Sequence, residues 1–216
     1  MARNKHPQET VNLIINTAYR LFLQKGYDHT SIQDIIQHLG GLSKGAIYHH
    51  FKSKEEILFA VMDKLSEGSY QILLNVKNRK DLNGKEKLKQ IFKDSLNSPI
   101  QEELFVVTPS IGKNPIFLTT MLQETVKEGV PECVLPIIEE GIKDGSIHTQ
   151  YPNALAEFIM ITVNIWLNPM ICECTLQQLY DKFKVFQQIL LGFDLDIIDE
   201  EFLSRLLELA SIRQNM

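Results

Sequence analysis

Apolar residues along this chain recur at three- and four-residue intervals from end to end, and no stretch of useful length alternates apolar with polar. That period is satisfied by α-helices that each bury one face, so the chain is confined to an all-α fold of packed helices. Val11, Ile14, Ile15, Ala18 and Phe22 share one face of a first helix, and Gly26 stands where that helix should stop. Ser31, with Asp34 three residues on, is close to a capping box for a second, short helix whose apolar side is Ile32, Ile35, Ile36 and Leu39. Gly40–Gly41 breaks the chain, and a third short helix runs from Ser43 to His50. Ser53 and Glu56 form a second capping box, opening a long helix to about Val76 with Ile57, Leu58, Val61, Leu65 and Ile72 inside.

Downstream, the polar run Lys77–Gly84 separates this region from a second set of helices. Asn114–Pro115 gives an N-cap followed by proline at the first helical position. Pro131 is expected to start a further helix that ends at Gly145. Residues 153–167 are apolar nearly all round, and Pro169 stops them. Leu176, Leu179, Phe183, Phe186 and Leu190 repeat at 3-4-3-4 spacing, the a/d seam of a helix pair. That seam is expected to form the interface of a homodimer, because a lone chain would leave large apolar side chains exposed. A last helix spans about Asp199–Arg213.

Short helices followed by a long one, with a glycine turn between the second and third, describe a helix-turn-helix head over residues 1–55, leaving 56–216 as a larger helical domain. In such a head the third helix enters the major groove of DNA and presents its first residues to base edges. Here it reads SKGAIYHHF, followed by KSK. Ser43 can cap it, and the helix N-terminus attracts phosphate. Lys44 adds a cation there, and Gly45 and Ala46 are small enough for backbone to approach the duplex. Tyr48, His49 and His50 put polar tips on broad rings suited to phosphate or base contacts, while Ile47 and Phe51 face inward. Lys52 and Lys54 stand at the start of the next helix, where a phosphate would fall.

The charge balance agrees once it is divided. The net charge of −5 opposes a polyanionic partner if taken whole, yet residues 1–55 carry seven Lys/Arg against four Asp/Glu, and the rest carries fifteen against twenty-three. A cationic head on an anionic body aims one end at nucleic acid.

Thr30–Ser31, Asp34–Ile35, the run from Gly41 to Phe51 and Lys52–Ser53–Lys54–Glu55–Glu56 closely resemble the DNA-binding signature of the TetR family, as do Ala18, Leu21, Phe22 and Gly26 in the first helix. The match covers about residues 9–60; beyond it only the helical plan and the stretch Gly141–Gly145 are similar. The resemblance implies a homodimeric repressor that binds a palindromic operator and releases it when a small molecule enters the C-terminal domain. It also implies that Ser31, Lys44, Gly45, Tyr48, His49, His50 and Lys54 occupy DNA-contacting positions. One feature departs from the family pattern: Leu39–Gly40–Gly41–Leu42 carries one residue more than usual in the turn, which alters the register of Gln33 and Gln37.

For the body, Phe92, Phe105, Phe117, Met121, Phe158, Met160 and Trp166 are candidates to line a ligand cavity, with core packing as the alternative. No cofactor or metal is expected: the three cysteines, Cys133, Cys172 and Cys174, are sparse and lack clustered histidines. The odd count, the polar first ten residues and the shortness of the longest apolar run, Phe158–Leu167, lead us to expect a cytoplasmic protein without a leader or membrane span. Two other function classes stay open at this point: an enzyme on a helical bundle using Cys133 or His148, and an interaction module whose altered turn has lost sequence-specific DNA binding. No H-E-x-x-H, G-x-S-x-G or phosphate-binding loop is present.

Overall fold

A computed structural model describes residues 7–41, 44–107 and 115–214, and every regular element among them is helical. The chain divides into two compact units, the first comprising residues up to Gly68 with 106–109, the second the remainder. The boundary falls inside the long fourth helix rather than at its start.

The first unit holds α1 (Pro7–Lys25), α2 (Ile32–Gln37), α3 (Lys44–His50) and the beginning of α4 (Lys54–Lys77). Most of the inward set read from the sequence forms its core: Ile14, Ala18, Phe22, Ile35, Ile47 and Ile57 are fully buried, with Ile15, Leu39, Leu58 and Val61 nearly so and Leu21 beside them, whereas Val11, Ile32 and Ile36 are only half-buried. Each large apolar side chain of this set contributes about 1.5–3 kcal/mol relative to exposure. The Leu65 side chain and Asn114 lie outside the described residues. Gly26 and Gly40–Gly41 have positive φ, so the chain turns where only glycine is unstrained. Thr30, buried, donates to the Gly26 carbonyl at 2.8 Å and ties this turn to α2.

The second unit contains the rest of α4, α5 (Gly84–Asn97), α6 (Pro99–Val107) as far as Phe105, α7 (Pro115–Glu124), α8 (Leu135–Asp144), α9 (Pro152–Ile161), α10 (Leu176–Gly192) and α11 (Glu200–Gln214). Asn83 with Glu86, and Thr175 with Gln178, cap α5 and α10 with reciprocal capping boxes. Gly145, at φ +81°, ends α8. α5 and α8 pack backbone to backbone: a Cβ on Gly84 would overlap the Gly141 Cα.

The structure corrects two expectations. Pro131 does not start a helix. It lies inside a π-wound stretch, Thr125–Val134, that joins α7 to α8 without interruption. Proline lacks an N–H and its ring collides with the carbonyl four residues back, and the wider π turn relieves that collision. A second π-wound stretch, Thr162–Trp166, extends α9, with the Leu167 N–H reaching Thr162 O at 2.8 Å. The a/d seam of α10 is also not free. Leu179, Phe183, Phe186 and Leu190 are at most 1% exposed within the chain's own core, and Leu176 is packed at its edge. Phe183 stacks on Phe202 and Phe186 meets Phe158, so the seam is satisfied by α11 and α9 of the same chain. No area is left on the four buried side chains for a partner.

Candidate nucleic-acid interface

The candidate face is built from α2, α3 and the start of α4, and each piece is fixed by a local device. Ser31 caps α2: its Oγ accepts from Asp34 N at 3.1 Å, and its own N–H and hydroxyl donate to the Asp34 carboxylate at 2.8 and 2.6 Å. Those hydrogen bonds, with Lys25 at 3.5 Å, lower the Asp34 pKa to about 2. Ser31 is exposed, but its hydroxyl proton is committed to this cap.

α3 is pinned by Ile47, fully buried, and followed at once by Phe51, which is 8% exposed. With the inner edge fixed, helical spacing turns Lys44, Gly45, Tyr48 and His49 to solvent, with Ala46 and His50 half-buried. The Lys44 ammonium lies 5.7 Å from the Tyr48 ring centroid, and the His49 and His50 rings meet edge-on at 5.2 Å. Cation and rings thus form one cluster along a single edge. Ser43 lies outside the described residues. At the entry to α4, Glu56 accepts from the exposed Lys52 N–H at 2.7 Å, and Ser53 Oγ accepts from Glu56 N at 3.2 Å.

Lys54 is placed differently from the other cations. Its Nζ donates to the Tyr27 carbonyl at 2.9 Å and sits 4.0 Å above the Tyr27 ring. Tyr27 in turn packs edge-on against Phe22, and burial, reinforced by Glu55, raises its phenol pKa. Lys54 therefore braces α4 against the turn after α1. Sequence reasoning missed Tyr27, although its place immediately after the glycine stop of α1 is visible there.

The body residues singled out from the sequence are not gathered into one cavity. Phe92 meets Phe202 edge-on, Phe105 packs with Met170 and Leu209, Phe158 with Phe186, and Met160 covers Gly129. Met121 is half-buried, Trp166 lies at the surface beneath Lys182, and the Phe117 side chain lies outside the described residues. A cleft of about 50 Å³ separates α5 from α11, and an open groove of about 550 Å³ runs beside Ile142, His148, Tyr151 and Phe193.

Cys133 is fully buried, and burial raises its thiol pKa, the opposite of what a nucleophile requires. His148 is exposed on the loop after α8. Among the described residues no group of His, Cys, Asp and Glu is arranged to hold a metal, and no helix is long and apolar enough to cross a membrane.

Comparison with known proteins fits this geometry. The family model for bacterial regulatory proteins of the tetR family matches residues 14–61. The chain is 30% identical to the transposon Tn10 TetC protein of Escherichia coli over 215 residues, covering 93% of this chain and all of that protein. It is also 30% identical to the uncharacterised HTH-type transcriptional regulator YuxN of Bacillus subtilis over 139 residues, 63% of this chain and 43% of YuxN. A solved transcriptional regulator from Cytophaga hutchinsonii superposes with a TM-score of 0.59 at 20% identity, covering 94% of each chain, and so shares the fold.

Proposed function

The chain belongs to the TetR family of bacterial regulatory proteins, a DNA-binding, helix-turn-helix transcriptional regulator, and from that premise we propose that it acts as a homodimeric repressor whose hold on a palindromic operator is released by a small apolar molecule. The observation that carries the DNA side of this reading is the outer edge of α3, where Lys44, Gly45, Tyr48 and His49 are exposed together over the buried Ile47. In this reading Lys44 and Lys52 neutralise phosphates, Tyr48, His49 and His50 reach phosphate or base edges, and Gly45 and Ala46 let the backbone approach. Ser31 and Lys54 hold the face in shape as well as facing the duplex, since each already has a partner within the head.

Dimerisation is assigned to α10, but to a face other than the a/d seam. Val185 and Ile189, four residues apart, are 47% and 39% exposed, and Lys182 on the same side lies over the exposed Trp166. An apolar strip of this kind is suited to a second copy, with α9 alongside it as in a four-helix bundle.

The test is the salt dependence of operator binding. Lys44→Ala and Lys52→Ala are each expected to weaken binding to all sequences and to flatten the slope of log K against log salt by about 0.9 for every phosphate left without its lysine. Unchanged affinity and slope in the double variant would remove α3 from the duplex.

A further inference from the structure

The three cysteines stand in different surroundings. Cys133 is sealed in the core of the body, where a thiol packs and does not react. Cys172 and Cys174 are free thiols, both half-buried, two residues apart in the segment that joins the second π-wound stretch to α10. That segment is fixed at both ends. At its start Asn168 closes a turn: its carbonyl accepts from the N–H groups of Ile171 and Cys172 at 3.0 and 2.9 Å, and its Oδ1 accepts from Met170 N at 3.0 Å. At its end Thr175 caps α10: its Oγ1 accepts from Gln178 N at 3.2 Å, its carbonyl accepts from Leu179 N at 2.9 Å, and its own N–H donates to Gln178 Oε1 at 2.9 Å. Cys172 is thus the last residue of the Asn168 turn, and Cys174, packed against the body core, is the residue before the cap. Glu173 alone separates them. Two thiols tied this closely meet far more often than either meets a thiol in solution, so an oxidised sulfur on one is captured by the other before it oxidises further.

We propose that Cys172 and Cys174 are a site of reversible oxidation in the helical body, that a peroxide is the oxidant and an intrachain disulfide the product, and that closing this disulfide uncaps α10. One thiolate attacks the outer oxygen of the peroxide. An S–O bond forms, the O–O bond breaks, and the other oxygen leaves with a proton as water or an alcohol. The second thiolate attacks the sulfur of the sulfenic acid. An S–S bond forms, the S–O bond breaks, and hydroxide takes up a proton and leaves as water. The two thiols give up two electrons and the peroxide gains them. A small thiol reverses the step by exchange, two of its molecules being oxidised to their own disulfide. The ring spans a single intervening residue, and a disulfide demands both a short Cα separation and a near right-angle turn at the sulfurs. The backbone must therefore turn at Glu173 and Cys174, and Thr175, held at φ −71° and ψ 163° by its role as cap, is the next residue along. Strain of this kind also keeps a disulfide easy to reduce, which makes the modification reversible.

The experiment treats the full, reduced wild-type chain with hydrogen peroxide and follows it by peptide mass mapping and amide hydrogen exchange. The peptide carrying Cys172 and Cys174 is expected to lose two hydrogens and to regain them with dithiothreitol, while Cys133 stays a thiol. The amides of Gln178 and Leu179, which both donate to Thr175, are expected to exchange about 2- to 30-fold faster in the oxidised chain, the range that follows from loss of an N-cap. Thr175→Ala is expected to speed the same two amides in the reduced chain and to leave oxidation less than about 2-fold to add. Cys172→Ser is expected to stop at a sulfenic acid on Cys174 that dimedone traps, with no faster exchange at Gln178 and Leu179. A disulfide that includes Cys133 or links two chains, or peptide masses that peroxide leaves unchanged, overturns the proposal. Oxidation that leaves Gln178 and Leu179 exchanging as before overturns it equally. These readouts are made on the wild-type chain, so they stand whether or not a variant folds.

Discussion

At the scale of single residues, the same charge is put to different uses. Lys44 projects along the outer edge of α3, Lys54 is folded back on Tyr27, and Lys87 is removed from water altogether. Asp34 shows what such placement does to titration. Its folded pKa, about 2, lies below the ordinary 3.8, so the cap contributes stability above pH 4 that is lost as pH falls from about 4 towards 2. Thermal unfolding of wild type is expected to fall across that window more steeply than that of Asp34→Asn, which has no such proton to take up; parallel profiles would show that the Ser31–Asp34 cap is immaterial. Thr17 is the converse case. Its hydroxyl is buried in α1 without a hydrogen-bond partner, so Thr17→Val keeps the shape and removes an unsatisfied polar atom. The variant is expected to be more stable by about 1 kcal/mol in denaturant unfolding, and a loss of stability would mean that the hydroxyl is satisfied after all.

At the scale of elements, close approach decides what can vary. Gly84 and Gly141 let the α5 and α8 backbones touch, so a methyl at Gly84 meets main chain that cannot rotate away. Gly84→Ala is expected to cost about 3 kcal/mol, read as a lowered Tm with normal secondary structure, and a neutral result would mean that α5 can shift without penalty. Helix ends are legible in the sequence wherever a side chain or a glycine closes them: Ser31, Ser53 and Gly145 stand where the chain turns. Pro131 misleads because proline in a helix is compatible with either a start or a widened turn, and only the packing of α9 onto that stretch selects the second. The seam from Leu176 to Leu190 is legible as buried, but periodicity states which face is covered and not which chain covers it. Lys87 leaves a trace in the sequence too. It occupies a slot of the apolar stripe formed by Gly84, Leu88, Ile91 and Phe92, and a lysine there must find an acid. The exposed edge of α3 is the most legible part of the candidate site, because Ile47 and Phe51 fix one side of a short helix and leave the other no choice.

At the scale of the whole molecule, the chain comprises a helix-turn-helix unit and a larger helical unit, with the division falling inside α4. The proposed dimer gives that arrangement two-fold symmetry. Sedimentation of the full chain at micromolar concentration is expected to give twice the chain mass, and Val185→Glu with Ile189→Lys to give monomers whose operator affinity is much reduced. Dimers that survive both changes would move the interface elsewhere. That α3 reads a specific duplex from a symmetric pair of heads is tested most directly by selection of binding sites from random double-stranded DNA. The expected result is an enriched palindrome with half-site centres about 34–36 Å or somewhat further apart. A pool that enriches nothing, or a sequence without two-fold symmetry, would contradict it.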